Sequence, residues 1–280
     1  MTNPVFSNSA VFGEKQNRDV QRTQSQMDPN FGRAQDMSTG AAAGMDAHQL
    51  ESMYNAPAAT TADTGRMTYD DVIMKTGLLL VLLVAAGAAT WALAPQLYFV
   101  GAIVGLIFGL INSFKREPSP LLIVIYTLAQ GVFLGGLSKM YESFYDGIVL
   151  QAVLATISVF AVSLFLFKSG KVRVTPKFTR MLLIGMGGYL LFSIVNLVLT
   201  WTGVLEGWGM RGGAMGIGIG LIAVGLAAMS LVMDFDAASV GVKNGIPKKY
   251  AWSAAFGLMV TLIWLYVELL RLIAILRGDD

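Results

Sequence analysis

Seven times between residues 76 and 276 the chain runs apolar for about as long as a bilayer is thick. A helix needs roughly 20 such residues to cross the hydrocarbon core. The runs are 76–94, 97–114, 120–140, 147–167, 181–201, 213–233 and 252–276. Lipid offers no partner for backbone N–H and C=O groups, so each run must satisfy its own as a helix. Composition agrees: 55% of residues are hydrophobic and 14% charged, against about 25% charged in ordinary globular domains. The expected fold class is all-α, a polytopic bundle of seven transmembrane helices lying in the bilayer as its first partner.

The breaks between runs are short and carry the charge. Ala94-Pro95-Gln96 reads as a tight turn, Pro118 and Pro120 mark the start of the third span, and Gly245-Ile246-Pro247 interrupts the chain before the seventh. Residues 1–75 differ, being small and polar with nine acidic and six basic side chains. Such a segment buries too little apolar area to offset chain entropy. The expected organisation is a disordered N-terminal tail over 1–70 and a seven-helix domain over 71–280. The tail has no apolar core typical of a signal peptide, and Phe6 and Phe12 are its only aromatic anchors near the start.

Several chemistries are excluded. The net charge of +2 gives no reason to expect nucleic acid. No cysteine is present, so thiol catalysis and disulfides are out, and the single histidine, His48, cannot make a multi-histidine metal site. It also lies in the tail, away from any serine of the spans. The last span has no interior lysine for a Schiff base, and an aspartyl protease on Asp234 or Asp236 would lack a matching aspartate on a second helix. An enzyme is not expected, nor a resident cofactor.

With the N-terminus cytoplasmic, the three inward loops hold ten basic residues (Lys115, Arg116, Lys168, Lys171, Arg173, Lys177, Arg180, Lys243, Lys248, Lys249), and the outward loops hold Lys139 and Arg211. That asymmetry predicts a multi-pass plasma-membrane protein, in bacteria the inner membrane, with its C-terminus outside. The outer side then carries Glu142, Asp146, Glu206, Asp279 and Asp280. Glycines recur every fourth residue at 101, 105 and 109, at 131 and 135, and at 212, 216 and 220. Such stripes let helix backbones approach closely, either for tight packing or for sliding during gating.

Ionisable groups inside spans are expensive and point to function. Asp234 and Asp236 close the sixth run, and Glu268 and Arg271 lie in the seventh. The two aspartates are about 200° apart on a helix, so only one faces the bundle interior. Counting equal arms from a turn at Lys248–Lys249 sets Asp236 opposite Thr261. Glu268 lies two turns beyond Thr261 and can pair with Arg271 at i,i+3, or serve as a proton or cation site that Arg271 loads. A carboxyl in low dielectric resists ionising, so a bond between helices made through one is a pH-dependent gate. Asn112, Gln130, Gln151, Asn196 and Ser230 either line a path or make ordinary interhelical bonds.

The stretches PSPLLIVIYTLAQGVFLGGLS from Pro118, MDFDAASVG from Met233 and GLMVTLIWLYVELLRL from Gly257, in that order, resemble the Bax inhibitor-1/YccA family, also called the transmembrane Bax-inhibitor-motif family. MTNPVF at the start and TYDDVIMKTG before the first span are similar to a bacterial branch with a long tail. The resemblance runs from Thr68 to the end. It implies a seven-helix bundle whose last helix is central and wrapped by the other six. It also implies a pH-sensitive calcium leak sensed by two carboxylates, one ending helix six and one in helix seven. Asp236 matches the first, and Thr261 stands at the second. Asp236 and Glu268 are the candidates for transient calcium contacts, with Asp234, Arg271 and Thr261 completing the gate. YccA-like members also carry a small hydroxyl residue at that second place, and they are associated with regulating a membrane protease. Two functions therefore stand: a cation (calcium) leak channel, or a non-conducting regulator of a membrane protease or other integral membrane partner.

Overall fold

The computed structural model describes residues 65–205 and 209–278. Phe6, Phe12, His48, Glu206, Asp279, Asp280 and nearly all of the expected tail lie outside them. The described residues form seven helices long and apolar enough to cross a membrane. They are α1 (Tyr69–Leu93), α2 (Tyr98–Phe114), α3 (Pro120–Phe144), α4 (Ile148–Lys168), α5 (Pro176–Trp201), α6 (Gly213–Lys243) and α7 (Ala251–Leu276). Single 3-10 turns precede α2, α6 and α7.

Local chemistry sets the ends. Pro120 and Pro176 open α3 and α5, where a missing N–H costs nothing. Thr175 caps α5 by accepting from Phe178 N at 3.2 Å. The first helix starts at Tyr69, ahead of the expected 76, because Thr68 and Asp71 make a reciprocal capping box. Charges that read as tail are the first turn of a helix. The sixth helix runs to Lys243, ten residues past the apolar run. Nothing in MDFDAASVGVK breaks a helix until Asn244 and Gly245, which turns at φ +60°. Asp234 and Asp236 are therefore interior to α6 rather than at its end.

The seventh helix is the centre. In its most apolar stretch 72% of residues are buried, against 11% in α1, α2 and α5. It packs on α1, α3, α4 and α6, while α2 leans on α3 and α5 on α6. The expected wrapping by all six others is thus a wrapping by four, with two helices in an outer position. Three apolar clusters meet on α7. Leu258, Leu265 and Leu269 join Leu231 and Phe235 of α6. Met259 and Ile263 join Leu79, Ile123 and Tyr126. Leu270 and Ala274 join Tyr141, Ile148 and Ala152. Outward-facing Ile184 and Leu197 are more than two-thirds exposed, as a surface bathed in acyl chains should be.

Glycine makes this packing possible. A Cβ on Gly135 would sit 2.2 Å from Gly87 O, and one on Gly131 2.6 Å from Leu83 O, so α1 and α3 touch backbone to backbone. Gly101 lies against Ala129 O and Phe133 N, and Gly220 against Leu272. The chain before α1 adds a clasp. Met67 N donates to Ile246 O and Lys248 N to Gly65 O, each at 2.8 Å. Lys248 Nζ lies 3.0 Å from the buried Asp71 carboxylate, and Lys75 Nζ donates to Lys248 O at 3.1 Å. The turn between α6 and α7 is bonded to the root of α1.

Replacing Gly135 by Ala is expected to cost about 1–3 kcal/mol, because rigid backbone would have to move. Gly77→Ala, with nothing near its Cβ, should be neutral or stabilising by about 0.5–1 kcal/mol. Thermal unfolding of the two variants in one detergent checks the contrast.

Candidate functional site

Two polar centres sit on α7, about ten ångströms apart along the helix by its rise per residue. The first pairs α7 with α6. Thr261 Oγ1 donates to Asp234 Oδ2 at 2.7 Å. Asp234 is nine residues before the end of α6 and Thr261 ten after the start of α7, so equal depth follows from the true helix ends. The expectation that Asp236 faces Thr261 is corrected. It rested on a turn centred at Lys248–Lys249, whereas α6 and α7 are centred on Pro247, and two residues of error turn the side chain to another face. Asp236 is half-buried and forms no hydrogen bond or ion pair among the described residues. Gly257, one turn before Thr261, also lies beside the acid, where a Cβ would stand in ordinary contact at 3.4 Å from Asp234 Oδ1.

Asp234 has no cation beside it among the described residues. The lysines of the neighbouring turn are committed elsewhere: Lys248 to Asp71, and Lys249 to the exposed Glu117 at 2.9 Å. Lys249's hydrogen bond holds the Glu117 carboxyl below its ordinary range.

The second centre is built on Glu268, which is 3% exposed. Its Oε2 pairs with Arg271 one turn along α7, at the expected i,i+3 spacing. Its Oε1 accepts from the Tyr189 hydroxyl of α5 and from Trp264 Nε1 at 3.2 Å. Arg211, from the 3-10 turn before α6, donates to Tyr189 Oη at 3.0 Å and to Ser193 Oγ. Its guanidinium lies over the Tyr189 ring, 5.2 Å from the centroid. One guanidinium, that of Arg271, thus pairs with the carboxylate directly, and a second, that of Arg211, reaches it through the Tyr189 hydroxyl. Both oxygens of Glu268 are engaged, so it is a poor ligand for calcium. Asp236 and Glu268 also lie on different helices in different layers, and do not make one cation site. Among the described residues no group of three or more acidic or histidine side chains converges as a metal site would.

Sequence reasoning missed Tyr189, Ser193, Trp264 and Arg211 as members of this network. Tyr189 and Trp264 are aromatics in apolar spans and carry no signal of a polar task. Arg211 reads as a loop cation. The one usable sign for Asp234 was the pair of small residues Gly257 and Thr261 on one face of the last helix. The other polar residues have separate local surroundings. Asn112 bonds to Phe108 O in its own helix, Asn196 accepts from Met210 N at 2.8 Å, and Gln151 is exposed. Gln130 packs at Gly105, and Ser230 lies 3.9 Å from Met186 Sδ.

Removing one member of a buried pair leaves the other charge stranded, at a cost of about 3–5 kcal/mol. Glu268→Gln should therefore lower the thermal unfolding midpoint of the purified protein far more than Asp236→Asn, which breaks no bond among the described residues.

Known proteins place this arrangement. The family model described as Bax inhibitor 1 like matches residues 3–278. No curated protein matches the chain. With seven membrane-spanning helices around a buried seventh and a family match over nearly the whole length, the chain belongs to the Bax inhibitor 1 like family.

Proposed function

We propose that this integral membrane protein is a cation leak channel, with calcium as a permeant ion, whose gate is the contact of Asp234 with Thr261. The observation that carries the reading is an acid within α6 that faces the central helix and has a single hydroxyl for a partner. An ionised carboxylate in a low-dielectric site draws a cation to it, because nothing else there balances its charge. When protonated it loses that pull, and no cation is drawn between the helices. Acid closes the path and neutral pH opens it. Glu268, Arg271, Tyr189 and Arg211 act at the other layer as a fixed polar brace between α5, α6 and α7. The basic inward loops support a cytoplasmic N-terminus in a plasma membrane.

A second reading is favoured by Thr261 itself. A hydroxyl and one carboxylate repel each other at no pH, unlike two carboxylates, so the contact can serve as a permanent tie in a non-conducting regulator of a membrane protease or another integral partner.

Purified protein in liposomes loaded with a calcium dye separates the two. A channel gives flux that is larger at neutral than at acidic pH. Asp234→Asn, a mimic of the protonated acid, should reduce it at least tenfold and flatten its pH dependence, while Asp236→Asn stays near wild type. Absence of flux at every pH from folded wild-type protein would favour the regulator.

A further inference from the structure

The two carboxylate centres leave one large feature unused. An elongated cavity of about 530 Å³ lies between α1 and α4, which scarcely touch each other, and its floor is α3 and α7. That volume is in the range of small-molecule sites, about 300–1,000 Å³. Its walls are almost wholly apolar, with Val84 and Ala88 on α1 and Val153 and Ile157 on α4. It runs from Thr76 to Trp91 along α1, fifteen residues or roughly 22 Å. Half of the hydrocarbon core is roughly 15 Å deep, so the groove accommodates one acyl chain from the near leaflet along its length. It opens sideways between two spans, where the solvent is lipid.

The end of the groove at Trp91 has a cation. Lys139 of α3 is exposed, its Nζ is 5.1 Å from the Trp91 ring centroid, and it has no ion pair among the described residues. The carboxylate one turn along, Glu142, is occupied: its oxygens accept from Gly147 N at 2.7 Å, just before α4, and from Val149 N at 3.1 Å in its first turn. Tryptophan beside lysine at the end of a span marks headgroup depth. We infer that the groove between α1 and α4 is a binding site for an anionic phospholipid of the surrounding bilayer, with one acyl chain between the helices and its phosphate on Lys139. The lipid fills the gap that the two helices leave between them, and so fixes their separation above α7.

The test uses the full chain in nanodiscs of phosphatidylglycerol and phosphatidylethanolamine, with a trace of phosphatidylglycerol bearing a diazirine midway along one acyl chain. After irradiation, adducts are mapped by mass spectrometry. Adducts on Val84, Val153 and Ile157 should exceed those on the outward Ile184 and Leu197 of α5 several-fold. Ala88→Trp and Val153→Trp, two independent ways to fill the groove from its rim, should each abolish the groove adducts and leave those on α5 unchanged. Lys139→Gln should lower the groove adducts roughly fivefold, the value of one basic residue near an anionic headgroup. Adducts spread evenly over all outward faces, or surviving in both filled variants, would overturn the site. Groove adducts indifferent to Lys139→Gln, or displaced by an uncharged apolar compound alone, would overturn the phospholipid as its occupant.

Discussion

A helix that carries a glutamate, an arginine and a threonine into a bilayer is tolerable only if other helices stand between it and the lipid. That constraint organises the molecule. Helix α7 holds Glu268 and Arg271, both 5% exposed or less, within the part of the chain that its neighbours bury most deeply. The pair in turn recruits Tyr189 from α5 and, through it, Arg211 from the turn before α6. Peripheral α5 reaches the centre through a side chain rather than through backbone packing. Interaction with lipid is the same for each apolar helix, so hydrophobicity alone cannot choose which one goes inside. Charge chooses it.

Close packing then has to supply what the hydrophobic effect does not. Glycines on α1, α2, α3 and α6 remove the side chains that would hold backbones apart, and the shortest approaches between helices are where α3 meets α1 and α2. Helices α1 and α3 together form one wall around α7. Helix α4 stands against α6 and α7 and hardly meets α1. The bundle is thus closed by small residues on one side and left ajar on another. Both outcomes follow from which helix faces carry glycine and which carry Leu, Ile and Val.

Much of the fold was legible in the sequence, because spans, breaks and glycine periods all follow from bilayer thickness and helix geometry. The beginnings and ends of helices were less so. Hydropathy cannot see that Thr68 and Asp71 cap a helix made partly of charged residues, or that MDFDAASVGVK continues one. That gap explains the site error. Asp236 and Asp234 differ by two positions, and an assumed turn centred about one residue too late selects the wrong one. The Glu268–Arg271 pair was readable because it lies within a single helix, where spacing alone fixes proximity. The partners on α5 and before α6 were not, because their approach depends on how three helices pack.

The bonds that join Met67 and Gly65 to Ile246 and Lys248 make the α6–α7 turn a clasped joint instead of a free hinge. Whatever chain leads into Gly65 is coupled by main-chain bonds to the hairpin that carries Asp234 and Thr261. A pull applied ahead of α1 is therefore delivered to that hairpin at its apex, with α6 and α7 as the two arms of the lever.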